Sequence, residues 1–572
     1  MLALLLPMAM ASTLAPGETL PNALGVHVSQ GGLETLATGI GGVVPESFTQ
    51  DVISGEFECD SGDETPLGYE INNLVVQIAV DDISLVASDG RLDLDLALAL
   101  TATADAVNIT GDCTFLFKDL DQECGMEISA SDPIDLSLHL GMTMDLLDDG
   151  TVDVEVDDLS YTLSAIGNPI SDCAFADVVD ALLALNPDFL TDLIKSFLDP
   201  TLEGLPDTLE TTLEDALGGL NISTSVDLLG ASLALNLAPT ALDLSDDGLL
   251  LGFGASAAVD QISDCMDFGE GSDVNGTGWP AYGDTAWDEG AYSYDAGIFI
   301  NKDFLDHVLW NVWASGVLCG NVKNLVDLPL DTDFVGNLYG ESFQSYFPEA
   351  QPVDLILETP EPLTSRFEES PPINIDINDL RINTGAELDG RMARICAVGV
   401  DGTISLDPVF SDAELTIDLG IDPETFEYSE PYNELLEPGY AVGLSGLLST
   451  LLSTLIPADL LPTIALPTWQ GIGLGDVVWI PTDDGQWQGG FLTIDTTAVE
   501  PLELSGACGG CGGTDTGGGT SFEDLLGCSD TSAGCGDCSG GSCATDGQIA
   551  RGRSRLGLLG ALVALLALRR RP

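Results

Sequence analysis

The chain has 572 residues, enough for two or three domains with apolar cores, and its 45% hydrophobic content predicts that most of it folds. Acidic residues outnumber basic ones 94 to 15, a formal net charge of −79, and six of the fifteen basic residues fall in the last 22 positions, leaving nine for the rest. Such a surface repels phosphate backbones and anionic headgroups, which excludes nucleic-acid binding; the acids are read as a solvated coat.

In chain order, residues 1–11 (MLALLLPMAMA) form the apolar core of a signal peptide, with Ala9-Met10-Ala11 as the small-x-small cleavage site; no basic stretch precedes it, the mark of a truncated signal. Residues 12–265 are expected to form an N-terminal domain. It opens with Gly25-Val26-His27-Val28, a short strand feeding the N-cap Ser29 and a helix bearing Leu33, Leu36 and Ile40. Three segments then alternate with period 2: Leu92–Leu100, Ile134–Met144 and Val152–Val156, with acids, other polar residues and, at 97 and 99, alanines between the large apolar ones. That pattern predicts antiparallel strands wet on one side, with acids that discourage edge pairing between molecules.

Ala174–Leu217 is the segment these strands are expected to cover. Val178, Val179, Leu182 and Leu183, then Phe189, Leu190, Leu193, Ile194, Phe197 and Leu198, form an apolar stripe on a helix that restarts at Asn186-Pro187. Leu444, Leu447, Leu448, Leu451, Leu452 and Leu455 mark a second helix of the same kind. Residues 266–290, rich in Gly, Asp and Pro, are assigned as a linker, and 291–505 as a C-terminal domain with strands at Val353–Leu357, Ile373–Ile382, Arg394–Leu406 and Ala413–Leu419.

The two halves echo each other. Gly25–Leu36 aligns without a gap on Gly297–Val308, at an offset of 272, with Asn301 in the capping place of Ser29. Pro239-Thr240 followed by Asp246-Asp247-Gly248 resembles Pro481-Thr482 followed by Asp483-Asp484-Gly485, each an acidic glycine turn between strands. An internal duplication of very long period follows.

Residues 506–550 are a Gly/Ser-rich stalk with six cysteines, and 551–572 pair an apolar run, Leu556–Leu568, with flanking arginines. Thirteen residues of helix span about 20 Å, short of a bilayer core. Thirteen cysteines in an exported chain favour disulfides, Cys113–Cys124 closing a hairpin and Cys319–Cys396 stapling the second domain. Cys508-Gly-Gly-Cys511 and Cys535-Gly-Asp-Cys538 have zinc half-site spacing, but without an apolar setting oxidation is expected instead. The three histidines lie far apart: His139 on an acid-bearing strand, His27 and His307 at the repeated helix start, which assigns them structural roles. No metalloprotease, nucleophile-elbow or P-loop string occurs, and the Asp clusters at 145–158 and 267–284 lack calcium-loop spacing. No enzyme, cofactor or metal is expected.

Over about residues 25–500 this order of elements resembles the family of bactericidal permeability-increasing protein, lipopolysaccharide-binding protein and the plasma lipid-transfer proteins, of the tubular lipid-binding superfamily. The segments that carry the resemblance are Gly25–Leu36, Gly297–Gly316 with Phe304, Trp310 and Trp313, and the closing Pro-Thr hairpin. The resemblance implies an α+β fold of two pseudo-symmetric domains, each a curved antiparallel sheet around a long helix, joined end to end by a central sheet. It further implies non-catalytic binding of acyl chains in two apolar pockets, the first lined by Leu36, Val179, Leu183 and Phe189, the second by Val308, Leu447, Leu451 and Leu455. The nine basic residues before the tail depart from relatives that capture lipopolysaccharide with a basic end, so uptake here would rest on burial, about 0.8 kcal/mol per methylene. The tail resembles the tripartite sorting signal of myxobacterial-type surface proteins, with Cys543 as the processing and lipidation site. The expected protein is thus a monomeric lipid binder, exported and held at the cell surface or outer membrane of a Gram-negative bacterium by its C-terminal segment. The alternative is a structural or adhesive surface protein with filled pockets.

Overall fold

The structure is a computed structural model that describes residues 12–43, 46–57, 67–113, 117–129, 133–147, 149–164, 170–171, 221–228, 231–276, 278–280, 294–322, 330–411, 414–422, 425–441, 464–465 and 473–495, with positions 131, 195, 206–207, 210–211 and 214 between them. The first half runs β1 (Ser12–Leu14), β2 (Thr19–Ser29), α1 (Gln30–Val43), β3 (Ser47–Phe57), β4 (Leu67–Ser88), β5 (Arg91–Cys113), β6 (Phe117–Ile128), β7 (Ile134–Leu146), β8 (Val152–Leu163) and β9 (Ile170–Ser171). It continues through β10 (Ile222–Leu228), β11 (Ala231–Ser245), β12 (Gly248–Val259) and β13 (Ser272–Val274). The second half runs β14 (Ala296–Asn301), α2 (Lys302–Ala314), β15 (Gly320–Asn321), α3 (Thr332–Tyr339), α4 (Glu341–Tyr346), β16 (Val353–Glu358), β17 (Thr364–Phe367), β18 (Ile373–Leu388) and β19 (Arg391–Ser411). It closes with β20 (Glu414–Ile421), β21 (Glu427–Asn433), β22 (Ile464–Ala465), β23 (Gly473–Pro481) and β24 (Trp487–Asp495).

The architecture is mostly antiparallel sheet with few helices. One sheet, built on β3-β4-β5-β6-β9 with β7 and β8, belongs to the first half, and one built on β15-β16-β18-β19-β20-β22 to the second. Each contains a long hairpin, β4–β5 and β18–β19, closed by a two-residue Asp-Gly turn. Both turn residues take positive φ (Asp89 46°, Gly90 82°; Asp389 51°, Gly390 73°), the mirror-image turn whose twist matches that of the strands. The alternation read over Leu92–Leu100 and Ile134–Met144 holds: the two segments face each other in register, Leu94 opposite Leu140 and Leu96 opposite Leu138.

A third sheet draws on both halves, in the order β10-β11-β12-β2-β14-β24-β23. β2 pairs with β14 so that Val26 lies opposite Ile298, the residue 272 positions on. Flanking that pair, β12 lies outside β2 and β24 outside β14, each the second strand of a hairpin. The Pro-Thr positions of these two hairpins are not alike. Pro239 sits inside β11 beside a bulge, whereas Pro481 ends β23 and Thr482 enters the turn.

Both cysteine pairings are corrected. Cys319 is bonded to Cys265, Cα to Cα 6.3 Å, because the end of α2 packs on the chain just after β12, where the Ser263 N–H meets the Ala314 carbonyl. Cys396 is free and buried in the core of the second half, and burial pushes its thiol up to about 11. The backbone register does not bring positions 113 and 124 together: Cys113 lies opposite Phe117 and Cys124 opposite Val107, which sets them about 20 Å apart along the strands, against the 4–7 Å a disulfide spans. Cys124 is itself disulfide-bonded.

Within the segment read as a linker, 272–274 form β13 on β1, and Phe268 packs edge-on against Trp313. Val179, Leu183, Phe189, Leu447, Leu451, Leu455 and Cys543 lie outside the described residues, as do the signal, stalk and tail segments. Of the helix expected over 174–217, positions 195, 206–207, 210–211 and 214 are described and are helical. Among the described residues no helix is long and apolar enough to cross a membrane.

Candidate functional site

The first-half interior starts at α1. The Ser29 hydroxyl accepts the Gly32 N–H at 3.0 Å, capping the helix as its position predicts, and donates to the Tyr294 carbonyl at 2.6 Å. A Cβ on Gly32 would stand 1.9 Å from the Asp295 carbonyl oxygen, so only glycine lets the helix approach β14 this closely. Gln30 ties the helix to β4: its amide nitrogen donates to the Leu85 carbonyl at 3.0 Å and its oxygen accepts the Ala87 N–H at 3.1 Å. Leu33, Leu36 and Ala37 then turn inward onto Leu85, Leu92, Met142, Met144, Val152 and Val154, all buried.

Beyond this sealed end the same face stays apolar and its cover is mixed, with Leu98, Ile134 and Leu136 buried among more open positions. Ile78, Val80 and Ile83 on β4, Leu94, Leu96 and Leu100 on β5, Leu138 on β7 and Tyr161 on β8 are half-buried, and register places them on the face that carries Leu92 and Met142. At the far edge, the β8 amides of Val154 and Val156 point away from β7 and meet the carboxylates of Glu214 (3.4 Å) and Glu210 (2.8 Å). The two spacings match: i to i+4 on a helix rises about 6.0 Å, and i to i+2 on a strand about 6.6 Å.

The second half is built differently. Val308, expected to line its pocket, is half-buried, and the most deeply buried side of α2 is polar. Asp303 accepts the N–H groups of Asn275 (2.7 Å) and Gly276 (3.0 Å). His307 pairs with Ser272 at 2.8 Å and with the Ala257 carbonyl at 3.2 Å, and the Asn311 side-chain oxygen accepts the Val259 N–H at 3.2 Å. This face fastens 272–276 and β12; a hydropathy stripe misses it, because Asp, His and Asn count as surface. Over β16, β18 and β19 the core is filled by Tyr339, Phe343 and Phe347 of α3, α4 and the turn after them.

His27 and His307 are both buried, and desolvation lowers both pKa values, His27 to about 4, so both imidazoles are neutral at pH 7. His139 lies on the outer face of the first sheet against Asp95 at 2.7 Å, a hydrogen bond that raises its pKa. Three surface depressions, of about 640, 540 and 300 Å³, lie along strands with acidic rims: Asp89, Asp145 and Asp243 in the first, Glu70 and Asp121 in the second, Asp82 and Asp95 in the third. Among the described residues no three His, Cys, Asp or Glu are placed to share a metal ion. What the geometry offers among the described residues is apolar burial between α1 and one sheet face.

No protein-family model matches this chain, and no curated protein matches it. Among solved structures it is similar to lipopolysaccharide binding protein, at 13% identity and a TM-score of 0.44, over 84% of this chain and 99% of that one. It is similar to P47 of Clostridium botulinum E1 at 9% identity and a TM-score of 0.19, over 84% of this chain and 100% of that one. It is also similar to Takeout 1 of Epiphyas postvittana, at 14% identity and a TM-score of 0.16, over 24% of this chain and 65% of that one.

Proposed function

We propose that this chain is a non-catalytic lipid-binding protein made of two pseudo-symmetric halves that share the central sheet, each half taking an acyl chain between its helices and its sheet. Support for the duplication is the pairing of Val26 with Ile298, its counterpart at offset 272, flanked on either side by corresponding hairpins. The lipid reading is carried by the inner face of the first sheet: fully buried against α1 at one end, then apolar throughout with half-buried positions such as Ile78, Leu96 and Tyr161 interspersed among buried Leu98, Ile134 and Leu136. Burying about ten methylenes there would contribute on the order of 8 kcal/mol before the cost of association. An outer surface of this charge repels anionic headgroups, so capture rests on the acyl chain. In the same proposal the protein is exported, monomeric and held at a Gram-negative cell surface by its tail, processed near Cys543.

A second reading, a structural or adhesive surface protein, is favoured for the second half by the aromatic filling of its core by Tyr339, Phe343 and Phe347. Mass spectrometry of the organic extract of the natively purified protein separates the two. A lipid at about one mole or more per mole of protein is expected; an extract free of lipid, with no uptake of added fatty acid, would leave the structural reading standing.

A further inference from the structure

We infer that the inner face of the β23–β24 hairpin holds the hydroxyl of an uncharged apolar molecule, received by Gln488 and Trp479. The inference rests on the lipid-binding reading above and names the ligand's polar end.

Register shows how these two positions relate to the first half. Leu249 lies opposite Val28 and Leu251 opposite Val26. At offset 272, Gln488 lies opposite Ile300 and Gly490 opposite Ile298. Across the hairpins, Leu251 faces Leu242 while Gly490 faces Trp479. Gln488 therefore stands where the first half has Leu249, and Trp479 where it has Leu242. Those leucines belong to the apolar cluster around Leu36. The second half thus carries an amide and an indole where the first carries hydrocarbon.

Both polar groups are buried and lack partners. Of three buried side-chain polar atoms without a hydrogen bond among the described residues, two are Gln488 Oε1 and Trp479 Nε1. Gln488 has no exposed surface, and its nitrogen donates to the Glu368 carbonyl at 3.3 Å, which leaves the oxygen as the free acceptor. The benzo edge of the Trp479 indole lies against Gly490, where a Cβ would come within 2.6 Å of it, so a glycine opposite is what makes room for the ring. Trp479 and Gln488 project from one face, since Gly490 faces the first and lies two residues from the second.

An unmet acceptor and an unmet donor on one buried face are costly to leave so. A hydroxyl answers both, donating to Gln488 Oε1 and accepting from Trp479 Nε1–H. A carboxylate has no proton for the glutamine oxygen and would enter an acidic molecule; an ester can accept from the indole but donates nothing. The class is a neutral lipid with a free hydroxyl, such as a long-chain alcohol, a partial glyceride or a sterol.

Affinities of the full chain for 1-dodecanol and methyl dodecanoate, measured by competition with a fluorescent fatty-acid analogue, test this. The wild type should bind the alcohol at least tenfold more tightly than the ester, and Gln488→Met and Trp479→Phe should each bring that ratio to twofold or less. Equal affinity for both probes in the wild type, or a tenfold ratio that persists in both variants, overturns the inference and leaves lipid binding intact. Binding of neither probe overturns the lipid reading and the inference together. The wild-type ratio does not depend on either variant folding.

Discussion

His27 shows how much one buried side chain can weigh. It projects from the central sheet onto Tyr294, its Nδ1 2.9 Å from the phenol oxygen, and makes a backbone hydrogen bond with Asp247. Desolvation sets its pKa near 4, against about 6.5 in the unfolded chain. The unfolded state therefore binds the proton more readily. The stabilisation is complete above about pH 6.5 and is lost as pH falls toward 4. Between pH 7.5 and 5 the loss is about 2 kcal/mol. Urea unfolding of wild type and His27→Gln at these two pH values should show that much less pH dependence in the variant; an unchanged dependence would place the proton elsewhere. Cys396 is the opposite case. Its raised pKa and burial beside Tyr339, Thr384 and Tyr440 make it an inert core thiol, which its place in the sequence could not reveal.

At the scale of elements, α1 is held less by its own turns than by side chains that behave as backbone. The Gln30 amide receives one β4 group and donates to another, as a neighbouring strand would. Gln30→Leu leaves the Leu85 carbonyl and the Ala87 N–H without these partners and should cost about 2 kcal/mol. Thermal unfolding measures it; a loss under 0.5 kcal/mol would mean that water replaces the amide. Elements of this kind were unevenly legible. The strands around Leu94 and Leu138 were readable because one face is wet, and the caps Ser29 and Asn301 because capping needs a side-chain oxygen at one place. The Asp89-Gly90 and Asp389-Gly390 turns are strong hairpin signals that hydrophobic periodicity alone passes over. The Cys265–Cys319 bond was not readable, since it depends on where α2 ends in space. The polar face of α2 was hidden because its partners, 257, 259 and 272–276, are brought to it only by the fold. Of the expected pocket residues, Leu36 is buried in the first-half core and Val308 is half-buried.

The whole molecule carries its charge as a coat. At −79, self-repulsion opposes compaction over distances that salt shortens, the screening length falling from about 10 Å at 0.1 M to about 3 Å at 1 M. Raising sodium chloride across that range should stabilise the fold by about 2 kcal/mol, or roughly 2 °C in melting temperature for a chain of this length. A melting temperature that falls with salt would show that ion pairs such as Arg91–Asp93 outweigh the repulsion. The central sheet, finally, has a consequence in time. β2 contains no Asp, Glu, Lys or Arg, and both its neighbours, β12 and β14, come from far down the chain. At 5–20 residues per second, the about 270 residues between β2 and β14 take roughly 15–50 s to synthesise. For that interval the newborn chain carries an uncharged strand with an open edge, and a holding chaperone has until β14 arrives to keep it from pairing with a stranger.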